Sequence, residues 1–220
     1  VQGEINGGRD ICKSSFTTVV TDVATSTDGR LIAFGSIDGF VEVWDRKTQQ
    51  RYTLAGHSSD ILDIEFVPNS HKFVTCGMDE QVRMWGVLED SPSQRVDTVE
   101  IPDVELTYVR NVRFVGNDSL IAMAILPGLS PKDAKWGLFA FDVKSGSLKW
   151  SMVEPGSCPA NDAFVFLQDD RNEPTVLLTS HFPGVVKQWE VETGELLKSF
   201  DVFENQIEDE SFVMPLAVSP

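Results

Sequence analysis

The sequence predicts an all-β fold built from a repeated four-strand unit. Turn signals recur every eight to twelve residues or so, no convincing 3.6-residue periodicity appears, and one pattern returns about 41 residues after its first occurrence. In the first copy, Asp28-Gly29 makes a tight turn and residues 31–36 a short strand. Asp38-Gly39 makes a second turn, and residues 40–45 alternate as a half-buried strand closed by Trp44.

The second copy begins with Gly56-His57 and an inner strand over residues 61–66. Residues 67–70 replace the first turn, 71–77 form the next strand, Met78-Asp79-Glu80 turns, and 81–85 ends on Trp85. The third copy runs from residues 109–114 to 138–142, with Phe141-Asp142 where Trp-Asp stands in the first and a polar insert over 127–135. The fourth has strands at 163–166, 175–180 and 185–189, ending on Trp189. Each copy is expected to be followed by a turn and an outer strand, as over residues 144–150 and 192–200. Residues 89–105, acidic and interrupted by two prolines, are expected to be a loop between the second and third units. A fifth unit is expected to begin at 207–220.

Four short strands per period of 40 to 56 residues or so is the signature of a β-propeller blade. The approximate blade limits are 16–50, 51–90, 98–150 and 151–200, within a single propeller segment over residues 1–220.

Composition narrows the functional classes. The 220-residue chain has 34 acidic against 18 basic side chains, a net charge of −16, which disfavours generic nucleic-acid binding. The longest apolar runs are far shorter than a membrane span. Cys12, Cys76 and Cys158 have no CxxC spacing, which favours a reducing intracellular compartment, the cytoplasm first and the nucleus beside it. Phosphate-loop, hydrolase-elbow and zincin motifs are missing, and neither a metal nor another cofactor is expected. His71 and His181 read as isolated, and Cys76 as a small apolar filler within a strand.

The second copy resembles the WD-repeat β-propeller family through Gly56-His57, Thr75, Asp79 and Trp85. The resemblance implies a buried relay from Trp85 to Thr75, to His57, to Asp79. That relay competes with a Ser-His-Asp triad made from Ser58, His57 and Asp79, and the structural reading is preferred. The other copies depart from the pattern: Phe34 replaces the hydroxyl and Phe16 the His in the first. The third lacks both His and Trp, and the fourth keeps Thr179 and Trp189 with Pro183 at the Asp position. These three are expected to rely mainly on apolar packing. The family's rings usually close with about seven blades, so about four blades and the start of a fifth imply a segment of a larger propeller.

By position, the family's interaction rim would fall on Val19, Thr21 and Ile37, then Asp60, Leu62 and Met78. Tyr108 and Arg110 follow in the third unit, and Ala160, Asp162 and Phe182 in the fourth. The implied function is a non-catalytic scaffold for protein or peptide partners, basic ones being favoured by the acidic charge. The alternative is a regulatory propeller attached to a catalytic or other domain outside this segment.

Overall fold

A computed structural model of the chain describes residues 18–88, 91–99, 106–127, 135–155, 164–169, 174–181 and 184–201. These contain strands and turns and no helix. The strands form four antiparallel sheets, each paired in simple chain order. The first has β1 (Val20–Thr25), β2 (Leu31–Ser36), β3 (Phe40–Asp45) and β4 (Gln50–Ala55). The second has β5 (Ile61–Phe66), β6 (Lys72–Gly77), β7 (Val82–Leu88) and β8 (Ser91–Val99). The third has β9 (Tyr108–Val115), β10 (Ser119–Leu126), β11 (Lys135–Asp142) and β12 (Leu148–Pro155). The fourth has β13 (Phe164–Gln168), β14 (Pro174–His181), β15 (Val185–Glu190) and β16 (Leu196–Asp201).

The turns follow from local chemistry. Gly29 has a φ of 67°, and Asn69 at the equivalent turn has 54°, a conformation Asn tolerates better than most residues. Ser26 Oγ donates to Asp28 Oδ1 at 2.7 Å and accepts from the Leu31 amide at 2.9 Å, closing the β1–β2 turn. After β3, Asp45 Oδ1 accepts from the Lys47 and Thr48 amides. Asp142 repeats that arrangement with the amides of Lys144 and Ser145. The Phe-Asp of the third copy thus keeps the turn-forming half of Trp-Asp. Arg30 bonds Asp45 and holds its carboxyl down at about 2.

The core lies between successive sheets. Leu31, Ala33, Val41 and Val43 of the first meet Ile61, Ile64, Phe73 and Trp85 of the second. Val74, Cys76 and Val82 meet Val109, Val112 and Phe139 of the third. Met123, Trp136 and Leu138 meet Phe164, Leu177 and Trp189 of the fourth. β5 lies against both β1 and β9.

Two sequence expectations change. Residues 91–99 are a strand rather than part of a loop, with Val99 opposite Val82 and Thr98 opposite Arg83. β8 is the last strand of its sheet and pairs on one side only, so Pro92 costs little ladder bonding. The sheets span 20–55, 61–99, 108–155 and 164–201, so the last strand of each carries its sheet past the expected blade limit. The expected strand at 207–220, and Phe16, Ala160, Asp162, Phe182 and Pro183, lie outside the described residues.

Candidate functional site

The hydrogen-bonded chain of the second sheet starts at Trp85, buried on β7. Its indole Nε1 donates to Thr75 Oγ1 on β6 at 2.8 Å. Thr75 Oγ1 lies 2.6 Å from His57 Nε2, and His57 Nδ1 lies 2.8 Å from Asp79 Oδ1. A carboxylate only accepts, so Nδ1 carries the ring proton and Nε2 takes the threonine proton. The Ser58 amide donates to the second Asp79 oxygen at 3.0 Å. His57 Nε2 faces a threonine of zero exposure, not Ser58, so the ring is committed to the fold.

Burial holds the His57 imidazole below its ordinary value, partly offset by Asp79. A depressed histidine contributes stability above its unfolded value of 6.5 that is lost as pH falls below it.

The fourth sheet corrects two expectations. Trp189 Nε1 donates to Thr179 Oγ1 at 2.8 Å, and that oxygen lies 2.8 Å from His181 Nε2. His181 is therefore not isolated, and this sheet does not rely on apolar packing alone. It is 7% exposed and its ring centroid lies 4.8 Å from that of Trp136 on β11, so it also touches the third sheet. Residues two apart on a strand share a face, so Thr-x-His on one strand was the available signal. The second sheet has Gly77 at the corresponding position, where an added Cβ would collide with the Asp60 carbonyl oxygen.

The first sheet does without the relay. Ser36 Oγ donates to Asp38 Oδ1 at 2.6 Å and accepts from the Phe40 amide. Half-buried Trp44 lies under the Arg51 guanidinium, 6.0 Å from its ring centroid.

The innermost strands of the first three sheets share a feature the sequence did not reveal. In β1, Val20 pairs with Ser36 and Asp22 with Gly35, leaving Thr21 as an extra residue. In β5, Ile61 pairs with Gly77 and Asp63 with Cys76, leaving Leu62. In β9, Val109 pairs with Ala124 and Asn111 with Met123, leaving Arg110. Three equivalent bulges thus fall on three expected rim residues. Around them, the Ile37 amide donates to Val19 O at 3.2 Å and the Met78 amide to Asp60 O at 2.9 Å. Val19, Ile37 and Met78 are exposed by 61%, 42% and 47%. Asp60, Leu62, Tyr108 and Arg110 are half-buried. The structure brings the Val19–Ile37 and Asp60–Met78 pairs together at one end of their sheets. Among the described residues, no group of three His, Cys, Asp or Glu side chains could hold a metal ion.

Residues 11–45 and 48–86 match the family described as WD domain, G-beta repeat. The chain carries WD repeats over these residues. Each sequence repeat is offset from the sheets, since the second match takes in β4 of the first sheet and stops within β7. Pre-mRNA-processing factor 19 of Oryza sativa subsp. japonica is 28% identical over 181 residues, 82% of this chain and 31% of that protein. Protein HIR1 of Yarrowia lipolytica is 32% identical over 111 residues, 41% of this chain and 10% of that protein. Target of rapamycin complex subunit wat1 of Schizosaccharomyces pombe is 30% identical over 108 residues, 49% of this chain and 32% of that protein. The WD-repeat chain thus spans about a third or less of these relatives. Its fold is similar to that of the computationally designed Ika8 protein, with a TM-score of 0.61 over 83% of this chain and 49% of that one, at 21% identity. Together, the four-stranded sheets and WD repeats make the fold a β-propeller type. Among the described residues no helix is long and apolar enough to cross a membrane.

Proposed function

We propose that this WD-repeat chain is a non-catalytic scaffold whose bulged rim docks protein or peptide partners within a larger assembly. The observation that carries the reading is the exposure of Met78 and Ile37 on turns beside acidic groups. Asp38 and Glu80 are exposed on the same turns, and Asp60 is half-buried beside Met78. Apolar anchors within a negative field suit a partner segment that carries an apolar residue flanked by Lys or Arg. Half-buried Tyr108 and Arg110 extend the rim to the third sheet, and Asp162 and Phe182 belong to it by sequence position. The name of one relative, a target of rapamycin complex subunit, supports membership of an assembly. An intracellular location, in cytoplasm or nucleus, goes with this reading.

Replacing the exposed Ile37 and Met78 together with serine should leave the melting curve near that of the parent. Capture of protein partners in quantitative affinity purification should fall about tenfold or more. Unchanged capture would place the interaction elsewhere.

A second reading has its own support. Because the relatives extend well beyond the matched segment, the chain would regulate or position a domain outside it. Under that reading, the rim variant would alter the activity of the attached domain while the partner set stayed constant.

A further inference from the structure

Strand β5 carries two carboxylates on one face, Asp63 and Glu65, two residues apart. Both turn toward the third sheet. Asp63 Oδ2 accepts from the Val112 amide at 2.8 Å and from Arg113 Nη1 at 2.6 Å. Glu65 Oε1 accepts from the Phe114 amide at 3.3 Å. Its other oxygen lies 3.5 Å from the same Arg113 nitrogen, buried and without a hydrogen bond. Arg113 Nη1 also donates to the Val112 carbonyl at 2.7 Å. From β1, Asp22 accepts the Ile64 amide at 2.8 Å and lines the same cleft as Asp63, Glu65 and Arg113. From β6 the buried Cys76 thiol faces the group, pushed up by burial and by Asp63. β2 and β10 bring no titratable side chain, and Tyr108 and Arg110 sit at the rim end of β9. Three carboxylates therefore meet one guanidinium at the junction of successive sheets.

We propose that this junction is a proton-operated latch: one proton shared between Asp63 and Glu65 clamps the second sheet to the third, and its loss loosens the contact. With the proton present, Asp63 and Arg113 form a one-to-one pair and half-buried Glu65, whose Oε2 is shut away from water, is neutral. Without it, two anions compete for a single cation inside the fold, with Asp22 adding a third negative charge.

The electrostatics agree. Burial raises the Asp63 and Glu65 carboxyls, each to about 7, and Arg113 only partly opposes the rise. A raised carboxyl takes up a proton in the closed state that the open state does not hold. Its contribution is fully present below the ordinary carboxyl range and is lost as pH climbs through about 7.

The test is hydrogen exchange of the Val112 and Phe114 amides in the intact protein between pH 6 and pH 8, corrected for intrinsic rates. In the parent, their protection should fall roughly tenfold over that range. In Glu65→Gln it should stay within about twofold, because Asp63 then holds Arg113 alone. The histidines are common to both proteins and cancel in the comparison. Should Glu65→Gln fail to fold, Asp22→Asn serves: a less negative cluster holds its proton less tightly, so the fall in protection should move to lower pH.

 The proposal is overturned by a parent whose protection does not change with pH, by a Glu65→Gln protein that falls in parallel with it, or by an Asp22→Asn protein whose fall stays in place.

Discussion

Replacing Thr75 with valine is expected to lower the stability of the protein by about 3 kcal/mol, although the two side chains have nearly the same shape. The hydroxyl serves two buried partners, Trp85 Nε1 at 2.8 Å and His57 Nε2 at 2.6 Å. Valine leaves both without a partner, at about 1–3 kcal/mol each. Thr75→Ser keeps the hydroxyl and gives up only a methyl group, so it should cost about 1 kcal/mol. Chemical denaturation of the two variants beside the parent separates the effects. Equal losses in both would mean that packing, and not the relay, is what the threonine supplies. Thr179→Val should behave in the same way in the fourth sheet, where the hydroxyl connects Trp189 to His181.

Gly39→Ala is expected to cost about as much, roughly 3 kcal/mol, through the backbone. Gly39 turns the chain between β2 and β3 at a φ of 80°, which an L side chain rarely adopts. An added Cβ would also meet the His57 carbonyl oxygen at 2.5 Å, an atom of the next repeat. The substitution therefore strains a turn in one sheet and pushes on the segment that positions the relay histidine of the next. A thermal melt reports the loss. Gly116→Ala, at a φ of 58° with open space around it, is the control: it carries the strain without the collision and should cost clearly less. Matching losses at the two positions would remove the contact between repeats from the explanation.

The turns and strands of the first two repeats were legible because their signals are local. Asp28-Gly29 and Asp38-Gly39 announce turns, and Val41 and Val43 alternate with Glu42 between them. β8 was not legible, because a strand paired on one side only needs no apolar alternation, and Pro92 within an acidic stretch reads as a loop. His181 was missed because the family pattern places the histidine upstream of the strand. Here it lies two residues beyond Thr179 on the same strand. The Asp63–Glu65–Arg113 group joins residues about fifty positions apart, and only the packing of β5 on β9 reveals it. The bulges have no residue-type signature at all, since Thr21, Leu62 and Arg110 share neither size nor charge.

That last dissimilarity has a consequence for how such a surface can change. A residue that stands outside the ladder has no cross-strand counterpart to match, so a hydroxyl, an aliphatic chain and a guanidinium can occupy the same station without altering the frame beneath. New binding preferences can then accumulate one station at a time, while the load of holding the sheets together stays with positions that face the interior.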